Sequence, residues 1–338
     1  MDAHTRQIAV LFAGAAVGGT YLSGYEWLRF FTYFGAWGII GIVLTALGLA
    51  WFGSTVLSFC HRNQIGSLHD LYVRWFGDSL APGFTALTYF LLLGYAGVVT
   101  GSHVLQVTGG VFTWFFLLLV LLAAGILVLR GWDWLVSSAS ITLAAGLLLF
   151  ALLFLEQRHV PIPSLGYQLN GYWLLHALSY LGLHCLLCLV VTIPLASHAR
   201  SEHALRWGTY LGSAVFFAFA LLGQAVLLGH WHDVHTSPSP VAAILNQFSA
   251  VASWLHTLLS VLHAAVIVAA LVYGLSLPVS IRHNLQLLPL VLVIFGCLLV
   301  FALLATVLPW SFTLVATGTT YCGFLLMLGA LYRHFKTP

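Results

Sequence analysis

The sequence predicts an all-α integral membrane protein whose ten transmembrane helices form two halves of five. Three observations lead to this fold class. Hydrophobic residues make up 61% of the 338 residues and charged residues only 6%, with a mean hydropathy of +1.02, whereas about a quarter of a soluble domain is charged. The apolar residues fall into ten segments of span length. The basic residues collect in alternate loops between these segments.

Each of the ten apolar segments is long enough to cross a bilayer, which takes about 20 residues of helix. The first segment has neither the charged start nor the small-residue cleavage site of a signal peptide, so we expect it to remain as a span. The ten predicted spans cover about 7–33, 36–60, 83–108, 110–129, 133–155, 172–197, 205–229, 250–276, 285–305 and 308–332.

The basic residues predict the orientation of these spans. With ten spans both termini lie on one side, and only Arg29 and Arg158 lie on the other. By the positive-inside rule the termini are cytoplasmic, and we expect a multi-pass protein of the plasma membrane. The net charge of +3 is scattered over separate loops, which does not indicate nucleic-acid binding. The basic residues on the cytoplasmic side are Arg6, Arg62, Arg74, Arg130, Arg200, Arg206, Arg282, Arg333 and Lys336.

The ten spans divide into two halves of similar length, 1–155 and 156–338. We expect a cytoplasmic amphipathic segment at 67–80 in the first half and an extracytoplasmic loop helix at about 240–248 in the second. Because five is odd, the second half enters the membrane from the opposite side. This inverted repeat is typical of secondary transporters, which bind their solutes at interrupted helices in corresponding positions of the two halves.

The stretch VGGTYLSGYEWLRFF, residues 17–31, has the features of an interrupted helix. Glycines such as Gly18, Gly19 and Gly24 weaken a helix by about 1 kcal/mol each, and a carboxylate such as Glu26 costs about 3 kcal/mol within a bilayer. Within a bilayer, irregular backbone is tolerated only where it is buried in protein or lines a water-filled cavity. We therefore expect a break in span one, a second break at Gly182 in span six, and Glu26 facing a cavity.

The run AGAAVGGTYLSGYEWLRFFTYFGAWGIIGI, residues 13–42, resembles the opening of the YkvI family of bacterial membrane proteins. The shared motif is Ser23-Gly24-Tyr25-Glu26, where the family more often has Gln in place of Tyr25. The 67–80 segment, the run LVYGL at 271–275 and the ten-span length are also similar. The resemblance implies a LeuT-like fold of the amino acid–polyamine–organocation superfamily, with transport inferred from the fold.

The predicted solute site lies between the two breaks. Backbone N–H groups at a half-helix start favour a carboxylate, and Glu26 favours an ammonium group, so an amino acid or an amine is the expected solute. The candidate solute-binding residues are Gly18, Gly19, Tyr21, Tyr25, Glu26, Tyr180, Gly182 and His184.

A second set of residues is predicted to carry a proton or to act as a gate. Histidine titrates near neutral pH, and three members of the set share one face of span eight. The set is Glu26, Arg29, His103, His256, Ser260 and His263. The alternatives are a structural Glu26–Arg29 pair and polar groups that only hydrogen-bond across helices. Sodium coupling is not expected, because AAVIVAALV at 264–272 lacks the hydroxyls that sodium-driven members of this fold use.

The sequence therefore predicts a secondary transporter that moves a small polar solute by alternating access, with proton coupling or no coupling. One alternative is a solute-sensing receptor of transporter fold, and another is a divalent-metal transporter. The outer run HWHDVH offers His230, His232 and His235 as metal ligands, or is only a solvated turn. No cofactor is expected. The chain is not predicted to be an enzyme, because HExxH, GxSxG, P-loop and paired-acid motifs are missing.

Overall fold

The structure is a computed structural model that describes residues 2–19, 21–108, 112–156, 171–308 and 310–336, without the side chains of residues 21, 107 and 333–336. Within these ranges all regular secondary structure is helical. The helices are α1 (Ala3–Val17), α2 (Tyr25–Phe30), α3 (Ala36–Arg62), α4 (Leu68–Phe76), α5 (Ala81–Thr108), α6 (Thr113–Arg130), α7 (Trp132–Glu156), α8 (Tyr172–Ala196), α9 (Glu202–Gly229), α10 (Trp231–Val234), α11 (Pro240–Phe248), α12 (Ala250–His283), α13 (Leu287–Val307) and α14 (Ser311–Lys336).

Nine helices in the described part of the chain are long and apolar enough to cross a membrane: α3, α5 to α9, and α12 to α14. They occupy the segments predicted as spans two to ten, so the protein is a multi-pass membrane protein. The segment predicted as span one holds α1 and the short helix α2. Of the basic residues used to orient the spans, Arg158 and the side chains of Arg333 and Lys336 lie outside the described residues.

The backbone of the first span changes direction at two glycines. Helix α1 ends at Val17 because Gly18 has φ of 86° and ψ of 166°, a region essentially restricted to glycine. The chain then forms a short 3₁₀ turn at Tyr21–Ser23 and passes through Gly24, which has φ of 77°. Helix α2 begins at Tyr25, whose N–H donates to Ser23 Oγ at 3.2 Å.

Span six differs from this pattern, and the break predicted at Gly182 is wrong. Helix α8 runs without interruption from Tyr172 to Ala196. Gly182 has no positive φ; instead it lies where α8 crosses α14, so that a Cβ on Gly323 would collide with its carbonyl oxygen. Small residues at such crossings allow two helix backbones to approach closely. Gly182 therefore serves packing and does not interrupt the helix.

The two short surface helices lie within the segments predicted for them. Helix α4 begins after Ser67, whose Oγ accepts from the Asp70 N–H at 3.0 Å and whose hydroxyl donates to Asp70 Oδ2 at 2.6 Å. It packs against α5 and α8. Helix α11 starts with Pro240 in its first turn, which suits a residue without an N–H. It packs against α12 and the Tyr21–Ser23 turn.

Helix α1 lies inside the bundle, in contact with α7, α8, α9 and α12. Most of its residues after Thr5 are buried, and Phe12 and Val17 are fully so. The end of α1 is therefore surrounded by protein and not by lipid. This position allows irregular backbone at membrane depth, provided that neighbouring helices supply its hydrogen bonds.

Candidate functional site

The carbonyl groups at the end of α1 accept hydrogen bonds from α8. A helix leaves its last carbonyls without intrahelical donors, and here two buried side chains supply them. His184 Nδ1 lies 2.8 Å from the Ala15 oxygen. The Tyr180 hydroxyl donates to the Ala16 oxygen at 2.9 Å and the Val17 oxygen at 3.3 Å. The rings of Tyr180 and His184 stack with centroids 3.9 Å apart, which holds the two donors side by side.

Helix α12 supplies donors to the segment that follows. His263 Nε2 lies 3.0 Å from the Gly18 oxygen, while its Nδ1 lies 3.0 Å from Thr142 Oγ1 on α7. His256 Nε2 lies 2.6 Å from the Leu22 oxygen, and Ser260 Oγ lies 3.4 Å from the same nitrogen. The polar face predicted on span eight therefore points at the interrupted helix and not at lipid.

Glu26 is buried beside the interruption, with 2% of its surface exposed. The Tyr95 hydroxyl of α5 donates to Glu26 Oε1 at 3.3 Å. A Cβ added to Gly18 would lie 3.0 Å from Glu26 Oε2 and 2.9 Å from His184 Cε1. The carboxylate and the imidazole therefore close over Gly18, and only a residue without a side chain fits beneath them.

Two cavities flank α2 and share five lining residues. The α8 cavity, of about 240 Å³, lies between α2, α8 and α14 and is also lined by His176, Ser179 and Thr317. The α5 cavity, of about 390 Å³, lies between α2, α5, α13 and α14 and is also lined by Ser102 and Gln106. The shared residues are Tyr25, Glu26, Arg29, Phe312 and Thr313.

One acid and one base line both cavities. Within the described part of the chain, Glu26 and Arg29 are their only acidic and basic lining residues apart from histidines. Arg29 follows Glu26 by three residues on α2, about one turn of the helix. The guanidinium and the carboxylate therefore belong to the walls of the same two cavities.

The remaining candidates lie at different places. Tyr25 lines both cavities, and His103 lines the α5 cavity although it is only 1% exposed. Gly19 lines a separate small cavity of about 20 Å³, together with Tyr95. The Tyr21 side chain lies outside the described part of the structure, and Gly182 faces α14.

The histidines of the HWHDVH run, residues 230–235, do not form a three-ligand metal site within the described part of the chain. The Nδ1 atoms of His230 and His235 lie 3.2 and 3.0 Å from the carbonyl oxygens of Val226 and Trp231, four residues earlier. Over the described ranges, no three His, Cys, Asp or Glu side chains come together as metal ligands.

Tyr95 is the site residue that the sequence analysis missed. It is 4% exposed and its hydroxyl reaches Glu26 from a different helix. The signal in the sequence was a phenolic hydroxyl in the middle of span three, beside Gly94 and Gly97. Those glycines allow α13 and α14 to approach α5.

Comparison with known proteins supports the fold. The chain is 24% identical to the uncharacterized membrane protein YkvI of Bacillus subtilis (strain 168) over 251 residues, 72% of each chain. It matches a crystal structure of MhsT in complex with L-phenylalanine with a TM-score of 0.66 and 14% identity, covering 95% of this chain and 88% of that one. No family model matches the chain.

A second solved structure, a variant of the manganese transporter of Eremococcus coleocola, matches with a TM-score of 0.56 and 14% identity, covering 96% of this chain and 77% of that one. The resemblance to the YkvI family is thus confirmed by a curated relative, and the LeuT-like fold by a solved structure. The chain is accordingly a membrane protein of LeuT-like fold. At these identities the structural matches establish the fold alone.

Proposed function

We propose that the protein is a secondary transporter that moves a small solute carrying both an ammonium and a carboxylate group, such as an amino acid, by alternating access. The observation that carries the proposal is the pair of cavities beside α2, where Glu26 and Arg29 line the same walls next to an interrupted helix. Solutes bind at such interruptions in transporters of this architecture. Both termini are then cytoplasmic, and the cavities open to the outside.

The helix contacts support an inverted repeat of 1–155 and 156–338, with α1 and α2 together forming the first of ten spans. Under this repeat α3 corresponds to α9 and α5 to α12. The contact of α3 with α8 then mirrors that of α9 with α1, and the contact of α5 with α13 mirrors that of α12 with α6. The surface helices also correspond, because α4 packs against α5 as α11 packs against α12.

The two charges suit opposite ends of the solute. Glu26 is a carboxylate in a low-dielectric wall and attracts an ammonium group. Arg29 offers a planar fork that binds a carboxylate through two hydrogen bonds. The similar protein MhsT was crystallised in complex with L-phenylalanine, which is a solute of this class.

The opposite end of the bundle is held by polar contacts. Arg62 binds Glu202 at 3.0 Å, Arg282 binds Asp70 at 3.2 Å, and His61 Nδ1 lies 3.0 Å from the Ala196 oxygen. These groups are partly exposed, so each contact adds little stability. Alternating access requires that they separate while the cavities beside α2 close, and such weak contacts permit this exchange.

The test is uptake into proteoliposomes of the twenty amino acids, a set of primary amines and Mn²⁺, each at several external pH values. We expect uptake of at least one amino acid, and a loss of about tenfold or more in Glu26→Gln, which removes the charge but keeps the shape. Glu156→Gln, at the exposed end of α7, is the matched control and should leave uptake unchanged.

The same experiment separates the other functions. Saturable binding of an amino acid without net movement would indicate a solute-sensing receptor. Uptake of Mn²⁺ alone would indicate a metal transporter, as the similar Eremococcus coleocola protein is. Uptake and a pH profile that are unchanged in Glu26→Gln would remove Glu26 from the mechanism.

A further inference from the structure

The interrupted helix presents a row of carbonyl oxygens, and side chains of α8 and α12 contact five of them. The four side chains are fully or almost fully buried, with exposures of 0 to 2%. We call them the carbonyl cap. They are Tyr180, His184, His256 and His263, and they contact the oxygens of Ala15, Ala16, Val17, Gly18 and Leu22.

The geometry fixes which ring nitrogen of each histidine carries hydrogen. A carbonyl oxygen only accepts, so the nitrogen that faces it must be an N–H donor. His184 therefore carries hydrogen on Nδ1, whereas His256 and His263 carry it on Nε2. The cap thus directs four polar hydrogens, with their partial positive charge, at one short stretch of backbone.

Carbonyl oxygens released by an interrupted helix are the usual ligands of a coupling sodium ion in transporters of this architecture. Here the same kind of oxygen already accepts from a buried donor. A sodium ion bound to the Gly18 oxygen would face the N–H of His263, 3.0 Å from that oxygen. Displacing the imidazole would leave a buried donor without a partner, which is costly.

We propose that the carbonyl cap takes the place of a bound sodium ion at the interrupted helix, so that the protein binds its solute without Na⁺. Solute binding without Na⁺ rests on the proposed function. The lack of a Na⁺ site is a property of the folded protein alone, and it can be tested whether or not the protein transports a solute.

The first experiment uses purified wild-type protein and Na⁺ as the probe. Thermal unfolding is followed in NaCl and in choline chloride of equal ionic strength. We expect the same midpoint in both salts over the whole titration. A saturable rise of the midpoint that is specific to Na⁺ would overturn the proposal, because a ligand that binds the native state raises its stability.

A second experiment tests the donors themselves. The side-chain nitrogen of Gln lies near the position of a histidine Nε2, and that of Asn near Nδ1. We therefore expect His263→Gln and His184→Asn to unfold at temperatures close to the wild-type midpoint. His263→Leu and His184→Leu should unfold at clearly lower temperatures. The exchanged variants His263→Asn and His184→Gln place the same amide at the wrong distance from the carbonyl oxygen. They should not restore the thermal midpoint.

The pattern of rescue decides the outcome. If Gln at position 263 is as damaging as Leu, or if the exchanged amides restore stability equally well, the histidines do not act as positioned donors and the proposal is wrong. The proposal is supported if Gln restores stability only at position 263, Asn only at position 184, and both variants stay insensitive to Na⁺. Because an amide donates a hydrogen bond but does not titrate, this result would show that the histidines act as hydrogen-bond donors and not as proton carriers.

Discussion

Gly18 and Gly182 are the two glycines at which the sequence predicted a helix break, and the chain uses them differently. At Gly18 the backbone leaves the helical region with φ of 86°, and α1 ends one residue earlier. At Gly182 the helix continues, and the missing side chain admits the backbone of α14. A glycine in a membrane helix thus serves either to turn the backbone or to bring two helices together.

The difference has a consequence for hydrogen bonding. The end of α1 exposes carbonyls that neighbouring helices must satisfy, and α8 does so through Tyr180 and His184. Helix α8 is continuous where it passes the end of α1, and two of its side chains donate to that other helix. The first span is interrupted, and α8 supplies hydrogen-bond donors to the interruption. Substitutions at the glycines and at Tyr180 test this division.

The largest effect is expected for Gly323→Ala. Its Cβ would collide with the Gly182 carbonyl oxygen, which belongs to a rigid helix backbone. Overpacking of a core usually costs about 1–3 kcal/mol, and we expect the upper end or more because no flexible side chain can yield. The measurement is thermal unfolding in detergent. The control is Gly296→Ala on α13, where nothing lies within 4 Å of the added Cβ. Equal losses of stability in both variants would contradict the close contact of α8 and α14 at Gly323.

The next effect is expected for Gly18→Ala. The backbone region of Gly18 costs other residues about 1–3 kcal/mol, and the added Cβ would press on His184 and Glu26. We expect both stability and solute uptake to fall. Gly77→Ala is the matched control, because Gly77 has nearly the same backbone angles, φ of 82° and ψ of 168°, with nothing within 4 Å.

The two glycine variants should therefore share a loss of stability and differ in function. Gly77→Ala should retain uptake close to that of the wild type, since its strain lies at the end of α4. If Gly18→Ala also retained uptake, the closure of Glu26 and His184 over residue 18 would have no part in solute binding.

A smaller effect is expected for Tyr180→Phe. Loss of the hydroxyl leaves the Ala16 and Val17 carbonyls without this buried donor, which costs about 1–3 kcal/mol. The ring and its stacking on His184 are retained. Chemical or thermal unfolding of Tyr180→Phe is compared with that of Tyr210→Phe, which removes a hydroxyl from a residue that is 44% exposed. Equal stability of the two variants would show that the end of α1 needs no donor from α8.

The smallest effect is expected for Gly182→Ala. Its Cβ would lie 3.2 Å from the Phe324 ring and from the Thr320 oxygen, a tight contact that a small shift of the ring relieves in part. Alanine also favours the helix by about 1 kcal/mol. We expect a net change of about 1 kcal/mol or less in thermal unfolding. A loss of stability as large as that of Gly323→Ala would contradict this, because it would mean that the Phe324 ring does not shift to admit a side chain at residue 182.

The apolar spans and the interruption at Gly18 were predictable because they follow from local properties. Mean hydropathy and span length decide which segments cross the membrane, and Gly18, Gly24 and Glu26 are costly in a continuous helix. The continuity at Gly182 was not predictable in this way. Gly182 instead packs against Gly323, which lies far along the chain and meets Gly182 only in the folded protein.

The same distinction applies to the site. Glu26 and the polar face of span eight were recognised as buried polar groups, but the partner of each depends on packing. The contact of Tyr95 with Glu26 joins residues 69 positions apart, and that of His263 with Gly18 joins residues 245 positions apart. A single sequence has no pattern that pairs them.

The most direct test of the account is the reactivity of a cysteine placed in the α8 cavity. Ser179→Cys is nearly isosteric and is made in a background in which the exposed Cys297 is replaced by Ala. We expect a charged, membrane-impermeant maleimide to label it from the outside, and a mixture of the twenty amino acids to slow the labelling. Ser276→Cys, at a position with 0% exposure on α12, is the unreactive control. Labelling of residue 179 that is absent, or that amino acids do not slow, would contradict a solute cavity beside the interrupted helix.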